Sequence, residues 1–119
     1  MVKNIHNLRS FLDFYCKKNN KNVFYISEDK SKEIKYFQLL KILKNFSFVL
    51  KKRKIRKNNK ILVVLDNSLE LLLTFFGTLY SHRIFIPINP NSGKNEIDYI
   101  VKKTNPSLII TNVDFKKKV

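Results

Sequence analysis

Glycine is nearly absent, with only Gly77 and Gly93 in 119 residues. Neither belongs to a G-x-G-x-x-G cluster, which excludes the dinucleotide-binding fingerprint. Ser92-Gly93-Lys94 ends like a phosphate loop, but that motif needs a glycine five residues before Gly93, where Ile88 stands. Cysteine is reduced to Cys16, so no internal disulfide can form, as suits a reducing cytoplasm. With no second Cys or His nearby, Cys16 reads as a helix residue facing the core rather than a nucleophile or metal ligand. The longest apolar stretch, Leu69 to Tyr80, carries Glu70 and falls well short of the roughly 20 residues that cross a bilayer, so no transmembrane helix is expected. The start, Met1 to His6, lacks an apolar stretch followed by small residues, which argues against secretion and for a cytoplasmic location. His6 and His82 stand far apart with no Cys or carboxylate cluster around them, so no metal site is assigned.

Acidic residues are also scarce. Nine face 24 basic ones, a formal net charge of +15, whose direct physical reading is attraction to polyanions such as nucleic acid or acidic membranes. A duller reading is an AT-rich coding sequence, which enriches Lys, Asn and Ile together; only Arg9, Arg53, Arg56 and Arg83 are arginines. The densest cluster, Lys51 to Lys57, has no interleaved aromatics for stacking bases and follows a helical pattern, where cations favour the helix dipole. It is therefore expected to be a solvated helix end giving weak, salt-sensitive and sequence-independent polyanion binding.

What is present supports a core: 44% hydrophobic residues, including ten Phe and five Tyr, suffice for one domain of this length. Ile5, Leu8, Phe11, Leu12 and Tyr15 recur at helical spacing and predict a helix from near Ile5 to Lys18. Val23 to Ile26 and Glu33 to Lys35, separated by a turn-rich segment, predict a short hairpin. Phe37, Leu40, Leu43 and Leu50 mark an amphipathic helix over 36–52. After Asn58-Asn59 the chain alternates: an apolar strand Ile61 to Leu65, a helix capped by Ser68 and running to about Ser81, a strand Ile84 to Ile88, a short helix Glu96 to Lys103, and a strand Leu108 to Thr111. This predicts an α/β fold: a partial three-stranded parallel sheet with right-handed crossover helices, preceded by a helix and a short β-hairpin. Asp66, at the carboxyl end of a parallel strand where such sheets bind ligands, is the one suggestively placed acid, although a capping or turn role suits it better.

The order of elements from Tyr36 to Thr111, about two thirds of the chain, resembles the opening of the adenylate-forming superfamily: acyl-CoA synthetases, fatty acyl-AMP ligases and peptide-synthetase adenylation domains. Ile34 to Leu40 stands where the family begins its first long helix with T-Y-x-E-L. Ile61 to Glu70, with Asn67-Ser68-Leu69-Glu70, resembles V-A-I-x-L-x-N-S-x-E. Gly77 to Pro90, with Pro87-Ile88-Asn89-Pro90, resembles L-K-A-G-x-x-Y-V-P-x-x-P, and Ile97 to Ile100 and Leu108 to Thr111 fall where the family has R-I-x-Y-I-L and L-L-T. Lys54, Asn58 and His82 depart from it, standing where the family prefers glycine; Asn tolerates the left-handed conformation, whereas Lys and His would be strained.

The resemblance implies residues 1–119 are a single partial domain, the start of the large N-terminal domain of such a ligase. The family joins a carboxylate to ATP with Mg2+, then passes the acyl group to CoA or a phosphopantetheinyl carrier. Its phosphate loop, adenine and ribose motifs and lid lysine all come later than the matched region, so no catalytic, cofactor-binding or metal residue is carried over, and the chain alone is expected to be inactive. The chain is then a truncated gene product or one piece of a split enzyme, its partners the remainder of the ligase in trans or an acyl carrier protein. Without that remainder an exposed apolar edge is expected to make it poorly soluble or oligomeric. Asn89, where peptide-synthetase domains more often have Asp, favours an acyl-CoA or acyl-AMP ligase. The competing reading is a stand-alone basic module for nucleic acid or an acidic carrier protein. A neighbouring reading frame that begins with the phosphate loop would separate the two.

Overall fold

The computed structural model describes residues 7–112. Helix α1 (Leu8–Lys18) leads into a hairpin of β1 (Val23–Ile26) and β2 (Glu33–Lys35), then α2 (Tyr36–Lys52), β3 (Lys60–Val64), α3 (Leu69–Tyr80), β4 (Ile84–Pro87), α4 (Lys94–Thr104) and β5 (Leu108–Thr111). The hairpin is antiparallel; β4, β3 and β5 form a parallel sheet in that order, with Ile61 opposite Phe85 on one side and Leu108 on the other. The architecture is the one the apolar pattern predicts. Boundaries move by a residue or two: β3 begins at Lys60, and α4 is longer than Glu96 to Lys103 because Gly93 opens it and left-handed Asn105 closes it. Ile5, the expected start of the first helix, lies outside the described residues; α1 is capped by the Asn7 side chain, which accepts from the Ser10 N–H.

Strand β3 is buried on both faces because its side chains alternate between two helical layers. Ile61 and Val63 pack with Phe46 and Leu50 of α2 and Leu71 of α3, while Leu62 and Val64 pack with Ile97, Ile100 and Val101 of α4. The flanking strands are covered only in part. Ile84 and Ile109, at opposite edges, keep 43% and 39% of their surface exposed, and Phe75 of α3 is also exposed. The expected apolar edge is therefore present among the described residues. A separate cluster joins Leu12 and Cys16 of α1, Leu39, Leu40 and Leu43 of α2 and Tyr80 of α3, with Phe24 and Ile34 of the hairpin against it.

Helices α2 and α3 meet at Gly77. A Cβ built there would lie 2.7 Å from Phe46 Cγ and 2.8 Å from Cδ1. Because Cγ is the root of the ring, no flexible end can swing away. Gly77→Ala gains about 1 kcal/mol of helix propensity, but overpacking costs about 1–3 kcal/mol. The expected result is a lower urea midpoint for Gly77→Ala, with recovery when Phe46→Leu is added.

Lys54, Asn58 and His82 adopt φ of 62°, 66° and 61°. The positions at which the family prefers glycine are thus left-handed in this chain as well. The conformation costs an L-residue about 1–2 kcal/mol, and the extra freedom of unfolded glycine returns about 0.4–1 kcal/mol of that. Lys54→Gly is therefore expected to raise stability by up to about 1.6 kcal/mol, and Asn58→Gly by less, since Asn tolerates this region; thermal unfolding reads both.

At the sheet edge, the N–H groups of Ile84 and Ile88 donate to the Asn59 and Val63 carbonyls. Alternation then turns Phe85 and Pro87 outward, away from β3.

Candidate functional site

The sheet's carboxyl end forms a cleft of about 400 Å3 lined by Leu65, Asp66, Asn67, Leu71 and residues 87–91. It joins the two segments with the most specific sequence patterns, Asn67-Ser68-Leu69-Glu70 and Pro87-Ile88-Asn89-Pro90. Each is held locally. The Ser68 hydroxyl donates to the Asp66 carbonyl at 2.9 Å and accepts from the Leu71 N–H at 3.2 Å, which starts α3 with Glu70 in its first turn, where the helix dipole favours an anion. The Asn89 side chain accepts from the Asn91 N–H at 2.9 Å, folding the loop after β4 back on itself. Asp66 is exposed at the cleft wall, and only its backbone takes part in the cap. An apolar groove of about 440 Å3, walled by Leu71, Leu72, Phe75, Phe85 and Pro87, continues from this cleft along the outer edge of β4. Phe75 and Phe85 meet edge to face there, with centroids 5.2 Å apart.

Among the described residues the cleft's donor set does not fit a nucleotide triphosphate: its lining has no Lys or Arg, and its one ionisable side chain is a carboxylate. Among the described residues no cluster of His, Cys, Asp or Glu could hold a metal ion, and no helix is long and apolar enough to cross a membrane. Cys16 is fully buried, and burial, with the charge of Asp13 beside it, pushes its thiol up to about 11, so it stays protonated near neutrality. Tyr80 is pushed up to about 12 by burial and by the hydrogen bond its hydroxyl donates to Asp13 at 2.7 Å, a tie between α3 and α1.

At the sheet's amino end the basic cluster is exposed except for Ile55, which packs beneath the sheet. It does not stand alone. A second cleft, of about 650 Å3, gathers Lys51, Lys54, Arg56 and Lys57 with Arg9 from α1 and Arg83 immediately before β4. The run of charges from Lys51 to Lys57 carries no sign of Arg9 or Arg83. The available signal was the rarity of arginine: three of the four arginines line this cleft.

Residues 12–119 match the family model described as AMP-binding enzyme. Among curated proteins, the chain is 33% identical over 61 residues to crotonobetaine/carnitine–CoA ligase of Shigella flexneri, covering 51% of this chain and 12% of that protein. It is 20% identical over 94 residues to bacitracin synthase 2 of Bacillus licheniformis, covering 79% and 4%. Among solved structures, a benzoate CoA ligase from Burkholderia xenovorans superposes with a TM-score of 0.83 at 17% identity, over 97% of this chain and 23% of that one. A fatty acyl CoA synthetase of Mycobacterium tuberculosis gives 0.81 at 19% identity, over 90% and 21%. The chain therefore spans 4% to 12% of the length of these curated relatives, and the solved structures establish its fold.

Proposed function

Because the chain belongs to the AMP-binding enzyme family, we propose that it is the opening segment of an adenylate-forming acyl ligase. Such a ligase activates a carboxylate with Mg2+ and ATP to an acyl-adenylate and passes the acyl group to a thiol. The observation that carries the proposal is the convergence of Asn67-Ser68-Leu69-Glu70 and Pro87-Ile88-Asn89-Pro90 on one cleft at the carboxyl end of a parallel sheet, where α/β folds bind ligands. In this reading the segment supplies scaffold and cleft wall. The phosphate-binding donors come from another part of the ligase, in the same polypeptide or in trans, because the described residues that line the cleft cannot neutralise a triphosphate. Asn89 favours an acyl-CoA or acyl-AMP ligase over a peptide-synthetase domain, and the 33% identity to a CoA ligase supports CoA as the acceptor.

Isolation of the native protein with an antibody to this segment, followed by peptide mass spectrometry, tests the assignment. The expected result is recovery, in the same chain or a stoichiometric partner, of a polypeptide with a glycine- and Ser/Thr-rich phosphate loop. Recovery of the 119-residue species with no such sequence would overturn it.

A further inference from the structure

We infer that the cleft at the amino end of the sheet, framed by Arg9, Lys51, Lys54, Arg56, Lys57 and Arg83, is a binding site for a small polyphosphate anion. It lies at the opposite end of the sheet from the cleft assigned to the ligase reaction and does not depend on that assignment.

Three observations support this. The first is uncompensated charge: six cations from three parts of the chain line one concavity, and none of the described residues that line it is acidic. Like charges are held together here by the fold, in spite of mutual repulsion.

The second is the state of Arg83. It is only 8% exposed; its two terminal nitrogens donate to the Ser81 and Ile55 carbonyls, and its Nε is buried without a hydrogen-bond partner among the described residues. A guanidinium so withdrawn from water ordinarily faces a carboxylate. Arg83 instead faces the cleft and the like charge of Arg9, which, after burial, further weakens its hold on its proton. An anion in the cleft would offset the charge of this group. Arg9 is fixed as well, its guanidinium 4.7 Å above the Tyr80 ring.

The third is shape and lining. A concavity of about 650 Å3 with guanidinium forks, ammonium groups and the Ser47 hydroxyl suits several linked phosphoryl groups. Among the described residues Ile55 is the only apolar side chain in the lining and none of the lining is aromatic, so nothing there stacks a base. That favours a compact phosphoanion over single-stranded nucleic acid.

His82 reports on the site. Burial lowers its pKa, and the charges of Lys57, Arg9 and Arg83 lower it further; a bound anion must reverse the electrostatic part. The test is NMR titration of the His82 ring in the 119-residue chain at low salt, with sodium tripolyphosphate as probe and His82→Asn to assign the signal. Expected are saturable binding, an upward shift of the His82 pKa, and an affinity about tenfold lower in the exposed double variant Lys54→Gln/Lys57→Gln, equivalent to about 1.4 kcal/mol. Lys102→Gln/Lys103→Gln, on the far side of the sheet, removes the same net charge and is expected to leave affinity near wild type. Equal loss in both variants would overturn the site in favour of diffuse attraction. Binding of an oligothymidylate without any response to tripolyphosphate would overturn it in favour of a nucleic-acid surface.

Discussion

Carboxylate-dependent exchange of pyrophosphate into ATP by the 119-residue chain alone is expected to be indistinguishable from background for any acyl substrate. Activating a carboxylate moves negative charge through a crowded transition state, and preorganised donors aimed at that charge are the largest single source of acceleration. Removing one such donor typically costs a factor of about 10²–10³. Among the described residues the lining of the carboxyl-end cleft holds no cation and places Asp66 on its wall, so the deficit is one of several donors at once. Binding is expected to fail with the chemistry: ATP affinity at this cleft should be no better than millimolar. Filter-bound exchange assays across a carboxylate panel decide the matter. Turnover above background would show that residues of this chain hold the phosphates and would overturn the scaffold reading.

Leu62→Ala is expected to cost about 2–5 kcal/mol, the usual range for opening a cavity in a closed core. Leu62 is fully buried on the central strand, flanked in register by Ile86 and Ile109 and covered by Ile97, Ile100 and Val101 of α4. No side chain can collapse into the space without moving α4. Set against a typical domain stability of about 5–15 kcal/mol, such a loss removes a large share of the total. Ile109→Ala, one strand over on the same face, removes an equally large side chain from a position 39% exposed, so solvent fills the gap and the cost should be well below that of Leu62→Ala. Urea unfolding of both variants at one protein concentration reads the contrast. Equal losses would mean that the two-layered burial of β3 does not carry stability as described.

Much of this arrangement can be read from the sequence because its periods are strong. Ile61 to Val64 has no polar position, which only a strand covered on both faces tolerates, and Ser68 followed by Glu70 marks a helix start by simple hydrogen bonding and dipole alignment. Left-handed Lys54 and His82 were legible only through the resemblance, since neither residue type signals that conformation. The amphipathic pattern of α2 overstated its buried face: Phe37 fits the stripe yet is 41% exposed, because α2 packs on α1 and α3 through Leu39, Leu40 and Leu43. The polyanion cleft was illegible for a different reason. Arg9 and Arg83 reach it from separate elements, and one-dimensional charge counting registers only neighbours in the chain.

Pro87 gives the sheet a direction of growth. A strand arriving beside β4 would find one outward amide, that of Phe85, and then a ring nitrogen with no hydrogen to donate, so a regular ladder could not be completed there. The outer margin of β5 is different. The Ser107 N–H donates inward to the Lys60 carbonyl, and the same alternation turns Leu108 and Ile110 outward, both with intact amides. Further strands can therefore be added in only one lateral direction, past β5, while the margin at β4 stays a terminus that resists edge-to-edge stacking between molecules despite the apolar side chains around it.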